Sequence, residues 1–166
     1  GQEAGAPLVS HPLVRHVSFT GSTRTGIEVI RAAARNVTSV LPELGGKSPV
    51  VVLADADMAA AADGVMGAIY ENAGQICSAG SRLVVERKAH SALMDALVAK
   101  AQSMKLGHGL RRPDMGPVNS PAHLAKIAAM VDAARDRGLE IVTGGNATSD
   151  PETGLGWFYE PTIIDR

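Results

Sequence analysis

The chain contains one cysteine, Cys77, within GQICSAGSR at residues 74–82. A lone thiol either fills a core as a small apolar group or acts as a nucleophile. Gly74, Ser78, Ala79 and Gly80 surround it, and their small side chains leave room for a substrate. Backbone N–H groups in such a turn can hold an oxyanion. No histidine lies close enough in sequence to serve as its base; His90 is remote. A second candidate is Glu43, within LPELGGK at 41–47. Gly45 and Gly46 put little bulk beside its carboxylate, which can then swing between a water and a resting position, as a general base does. The plain alternative is a solvated loop glutamate. The third feature is GSTRTG at 21–26, between a strand pattern and a helix pattern. Free N–H groups and the positive dipole of a helix N-terminus suit a phosphate. The segment is neither a Walker A loop nor G-x-G-x-x-G, and an ordinary capped helix is the competing reading. The five histidines and one cysteine show no metal-ligand spacing, so no metal site is expected.

These residues need elements to position them. VRHVSFT (14–20) reads as a strand. Ile27, Ile30, Ala33 and Ala34 then fall at helical spacing up to about Asn36. LPELGGK reads as a hinge by composition. PVVVL (49–53) is a continuous apolar run of the kind buried on both faces of a sheet. ADAD (54–57) offers an N-cap for a helix whose stripe is Met58, Ala61, Ala62, Val65, Met66 and Ile69. That helix ends near Asn72 or Gly74, just before Cys77. RLVVE (82–86) reads as a strand, and Leu93, Ala96, Leu97, Ala101 and Met104 mark a helix. Residues 106–117 read as loop. Ser120 caps a helix with Pro121 at its first position. Its inward face is Leu124, Ile127, Ala128, Val131 and Ala134, Gly138 stops it, and EIVT (140–143) is a short strand. Alternating strands and helices imply an α/β architecture with a largely parallel sheet. The candidate boundaries are LPELGG and the 106–117 loop.

Composition narrows the function. The 166 residues carry a net charge of −1, so no basic excess points to nucleic acid or an anionic membrane. Aromatics are 3%, too few for a base-stacking surface. One cysteine excludes an internal disulfide framework and suggests a reducing compartment. No apolar run of membrane-spanning length occurs. A chain of this length can bury about 70% of its unfolded surface. It begins GQEAGAPL without an initiator Met and ends in the strand-like WFYEPTIIDR, as expected for a piece of something longer.

Together, FTGSTRTG (19–26), LPELGGKSP (41–49) and NAGQICSAGSR (72–82) resemble the aldehyde dehydrogenase superfamily, in order and approximate spacing. Cys77 follows Glu43 by 34 positions, as the family pattern requires. Gly1 and Gly5, HPLV at 11–14 and FYEPTI at 158–163 extend the resemblance over essentially the whole chain, about a third of a family member. The resemblance implies an α/β fold. Residues 1–44 would be the end of a Rossmann-like NAD(P)-binding domain, and 45–166 the first part of the catalytic domain. It implies Cys77 as nucleophile and Glu43 as general base. Gly21 and Ser22 would meet the cofactor pyrophosphate, with the helix from Thr23 past Gly26 beside the adenine. Leu44 would touch the nicotinamide end, and Gly1 and Gly5 would lie in the adenosine-side loop. NAD is the default cofactor and NADP the alternative; the substrate is an aldehyde and the product a carboxylic acid. A cytoplasmic homodimer or homotetramer, with no membrane or nucleic-acid partner, is implied likewise. Tyr70 departs from the family, which often has Phe there, on the substrate side of the nucleophile.

Other readings stay open. Glu43 weighs against a member that passes its acyl group to coenzyme A, since such members often lack that glutamate. A non-catalytic nucleotide-binding or structural piece is the alternative of a different class. The family's oxyanion asparagine and its ribose-holding residues are expected outside these residues, so the isolated 166-residue piece is expected to be inactive.

Overall fold

A computed structural model describes all 166 residues. The chain divides into two compact units, Gly1–Gly46 and Lys47–Arg166. The 106–117 loop is not a boundary; it lies inside the second unit, where Leu106 bridges to Met115 and Asp114 Oδ2 accepts from Lys105 N–H.

The first unit opens with a five-residue helix, α1 (Gly5–Val9), too short to show a period in sequence. A β-α-β motif follows: β1 (His16–Gly21), α2 (Thr23–Ala34) and β2 (Ser39–Leu44). β1 and β2 pair in parallel from His16 with Ser39 to Gly21 with Leu44. His16 Nδ1 and Ser39 Oγ, 2.7 Å apart, pin the register at one end. β2 corrects the sequence expectation, because LPEL is strand and only Gly45 to Ser48 are irregular. Pro42 donates no backbone hydrogen bond, yet β2 pairs on one side only, where the missing donor is tolerated. α2 turns its smallest residues inward: Gly26 and Ala33 are buried, whereas Ile27 and Ile30 are exposed, contrary to the stripe expected.

The second unit holds β3 (Pro49–Val52), α3 (Met58–Tyr70), β4 (Arg82–Val85), α4 (His90–Ser103), α5 (Pro121–Asp136), β5 (Glu140–Thr143), β6 (Ala147–Thr148), β7 (Phe158–Tyr159) and β8 (Ile163–Asp165). β3 and β4 are parallel, but β5 with β8 and β6 with β7 are antiparallel, so only half of the strand pairs are of the expected kind. Val52, Ala62, Val65, Leu93 and Leu97 form the core, flanked by Val50, Leu83 and Val85 from the same sheet face. The opposite face is open. Val51 is 62% exposed and its register partner Val84 47%, so PVVV is buried on one face rather than two.

Side chains fix the helix starts. Asp57 Oδ1 accepts from the N–H groups of Ala59 and Ala60, and Ser120 Oγ accepts from His123 N–H with Pro121 next to it. Each such cap contributes roughly 1 kcal/mol. On α5 only Val131 is fully buried; Leu124, Ile127, Ala128 and Ala134 are half-buried.

Candidate active site

In the first unit, the end of the β-α-β motif gathers most of the predicted residues. Gly21 closes β1, Ser22 caps α2, and Thr23 begins it. Ser22 Oγ accepts from Thr25 N–H at 3.2 Å, and Gly26 N–H donates to the Ser22 carbonyl at 2.9 Å. The N–H groups of Thr23 and Arg24 have no acceptor in the protein. No acidic residue occupies the first turn. Two free donors, the helix dipole and a missing side chain at Gly21 make this end of α2 fit an anion such as a phosphate. A Cβ at Gly21 would come within 2.6 Å of the Phe19 ring.

Register brings β2 alongside. Leu44 is the partner of Gly21, and Glu43 is the partner of Thr20. Leu44 is half-buried and packs on Gly26. Glu43 is exposed, and its carboxylate makes no hydrogen bond or ion pair. A Cβ at Gly45 or Gly46 would meet nothing within 4 Å, so the space beside the carboxylate is open. Gly21, Ser22, Thr23, Gly26, Glu43 and Leu44 therefore lie together. Gly5 begins α1 and Gly1 lies just before it, where Gly5 N–H donates to the Gly1 carbonyl at 2.8 Å.

In the second unit, Cys77 is exposed. It is reached through three consecutive left-handed residues, Asn72 (φ 50°), Ala73 (φ 55°) and Gly74 (φ 72°). Glycine takes this conformation freely, but Ala73 pays roughly 1–2 kcal/mol. Strain of this kind is held only where surrounding bonds over-determine it. Here Asn72 Nδ2 donates to the Gln75 carbonyl, and Gln75 N–H and Nε2 both donate to the Asn72 carbonyl. After the turn, Ala79 N–H bonds the Ile76 carbonyl, while the N–H groups of Cys77 and Ser78 are free. Gly80 N–H then bonds the Ala68 carbonyl at 2.8 Å. Gly80 is wedged between sheet and helix, where a Cβ would lie 2.5 Å from Val50 Cγ2 and 2.9 Å from Ala68 Cβ. The thiol thus rides on a turn anchored at both ends, with two unpaired N–H groups beside it.

Tyr70 is buried, and its hydroxyl donates to the Thr162 carbonyl at 3.1 Å. Burial pushes its phenol up to about 12. Gln75 and the left-handed turn carry no role legible in the sequence; the only signal is the Asn and the Gly within the turn. Asp150 is equally silent there, a buried carboxylate that accepts from the N–H groups of His108, Glu152 and Thr153 and pairs with Arg111.

The family model described as aldehyde dehydrogenase family matches residues 1–166.

The chain belongs to the aldehyde dehydrogenase family.

Among curated family members, betaine aldehyde dehydrogenase of Bacillus subtilis is 42% identical over 100% of this chain and 34% of its own length. Aminoaldehyde dehydrogenase 2, peroxisomal, of Malus domestica is 42% identical over 99% of this chain and 32% of its own. The crystal structure of betaine aldehyde dehydrogenase from Staphylococcus aureus in complex with NAD+ is 40% identical, with a TM-score of 0.92 over 99% of this chain and 33% of that one. The chain therefore spans about a third of the aldehyde dehydrogenases it matches. The α/β fold expected from the sequence is the fold of these structures.

Proposed function

We propose that the protein oxidises an aldehyde to a carboxylic acid with NAD+ or NADP+, through a thioester on Cys77 that a Glu43-activated water hydrolyses. The observation that carries this reading is the register of β1 and β2. It sets the unpaired Glu43 carboxylate beside a helix N-terminus with free donors, in a chain whose one thiol is exposed on a separate anchored turn. The NAD+ bound by the Staphylococcus aureus relative supports the choice of cofactor.

The residues present fit a dinucleotide. Thr23 and Arg24 N–H groups would meet the pyrophosphate, with Gly21 and Ser22 leaving room for it and the α2 surface past Gly26 beside the adenine. Leu44 would touch the nicotinamide end, and Gly1 and Gly5 would line the adenosine side. The nicotinamide, when bound, supplies the acceptor for a hydride. Cys77 Sγ, as thiolate, forms a bond to the aldehyde carbon, and the carbonyl pair moves to oxygen. The free N–H of Cys77 is available to that oxyanion. Collapse of the oxyanion expels hydride and leaves a thioester on Sγ. Glu43 then takes a proton from water as the water oxygen attacks the thioester carbon. The C–S bond breaks, the acid leaves and the thiolate returns.

The betaine and aminoaldehyde names of the relatives point to a small aldehyde bearing a nitrogen cation as the substrate class to try first. The isolated 166-residue piece would not turn over, and the whole polypeptide would act as a cytoplasmic homo-oligomer; both extensions rest on the family resemblance. The test is Cys77→Ser in the whole polypeptide containing this segment. NADH formation should fall to background, and retained NADH formation refutes the reading.

A further inference from the structure

We propose that Gln75 is the positioning residue of the thiol turn, its carboxamide fixing where Cys77 stands by tying that turn to the Pro117–Asn119 segment. The proposal rests on the reading of Cys77 as nucleophile given above.

Gln75 lies two residues before Cys77 and is half-buried. Its side chain bonds in two directions. Nε2 donates to the Asn72 carbonyl at 2.9 Å, within the left-handed turn, and to the Pro117 carbonyl at 3.4 Å. Oε1 accepts from Asn119 N–H at 2.9 Å. The first bond is local and would survive if the whole turn swung as a body. The other two are not local; their partners stand 42 and 44 residues further on.

The anchor itself is held. Val118, between the two partners, is buried and donates its N–H to the Trp157 carbonyl at 2.8 Å. Ser120, the next residue, caps α5. A turn with Asn72, Ala73 and Gly74 at positive φ has competing backbone conformations of lower local energy. The carboxamide opposes them by joining the turn to backbone fixed independently of it. Glutamine is the side chain that fits: two donors for two carbonyls, one acceptor for one N–H. Glutamate would keep the acceptor and aim a carboxylate at two carbonyls. Leucine would keep the bulk and none of the bonds.

The test uses the whole polypeptide carrying Gln75→Leu, Gln75→Glu or Cys77→Ser. Gln75→Leu should lower kcat about 10- to 100-fold, the scale of a nucleophile displaced by about 1 Å. Kd for NAD+ should stay within threefold of the parent, since Gln75 bonds Asn72, Pro117 and Asn119 and none of the residues assigned to the cofactor. The pre-steady-state burst of NADH should shrink or vanish, because thioester formation is the step that depends on the thiol's position. A kcat within twofold of the parent overturns the proposal. So does a kcat loss that only matches a fall in folded fraction by circular dichroism. Where Gln75→Leu does not fold, Gln75→Glu, nearly the same shape, decides: at least a fivefold loss of kcat supports the clamp and an unchanged kcat overturns it. Cys77→Ser separates the two levels. If it retains NADH formation, the reading of the site falls and the clamp with it. If it is inactive while the Gln75 variants work normally, the clamp alone falls.

Discussion

Leu44 lies directly on Gly26: a Cβ at that glycine would sit 2.7 Å from Leu44 Cδ2, and Leu44 is also the register partner of Gly21. Two glycines and one leucine form a single contact at the end of the β-α-β motif where the anion-competent helix terminus and Glu43 meet. Gly26→Ala should therefore act mainly on ligand binding. Alanine's helix preference, about 1 kcal/mol over glycine, offsets much of the crowding cost. Unfolding free energy should change by less than about 1 kcal/mol, while the displaced Leu44 weakens NAD+ binding several-fold. Denaturant unfolding and a fluorescence titration would measure the two separately.

Glu43 has no partner to lose, so its removal should leave the fold alone. In the whole polypeptide, Glu43→Gln should lower kcat by about 100-fold or more, the usual scale for a general base. The first turnover should persist as an NADH burst approaching one per active site. A steady state at the parent rate would remove Glu43 from the mechanism.

Val37 adopts φ 54° just beyond α2 and is 93% exposed. A β-branched residue in the left-handed region is strained, and this is where glycine commonly ends a helix. Val37→Gly should stabilise the protein by about 0.5–1 kcal/mol, after subtracting the larger unfolded-state entropy of glycine. The urea midpoint should rise, with an unchanged slope.

Gly80→Ala should be the opposite case. The new Cβ meets Val50 from the sheet and Ala68 from α3, neither of which is the free end of a long side chain. Overpacking of this kind costs about 1–3 kcal/mol. The segment carrying Cys77 would have to move, so thermal midpoint and the rate of Cys77 alkylation should both change.

Tyr70 links stability to alkaline pH. Its folded-state value is raised from 10.0 to about 12 by burial. A raised value means that its contribution is complete below about pH 10 and is lost as pH climbs from 10 to 12. Tyr70→Phe should remove that alkaline loss, flattening the stability curve above pH 10. Near neutrality it should cost about 1–2 kcal/mol, because the Thr162 carbonyl loses its donor. Chemical unfolding at pH 8, 10 and 11.5 would show both effects.

The parts of the molecule legible in sequence were those with a long period or a strong cap. α3, α4 and α5 carry 13 to 16 residues each, enough for a stripe to repeat, and Asp57 and Ser120-Pro121 mark two of their starts. The pieces that escaped notice are short or compositionally misleading. α1 has five residues, and β6 and β7 have two each, below any period. β2 carries Pro42 and runs into two glycines, so its composition reads as hinge, although pairing on one side leaves the proline tolerable. The open face of Val51 and Val84 was hidden because an apolar run does not say how many of its faces are covered. Among the candidate residues, Cys77 and Glu43 stood out by residue type. Gln75 did not, since its value lies in partners 42 and 44 residues away.

The exposure of Cys77 has a redox consequence. A thiol exposed on a turn is open to peroxide, and its first oxidation product is a sulfenic acid. Rescue by disulfide formation needs a second thiol, and these 166 residues contain none. Within this segment the oxidised sulfur has no internal resolving partner. It depends on a small-molecule thiol arriving before a second peroxide carries it to the sulfinic acid, which a thiol does not reverse.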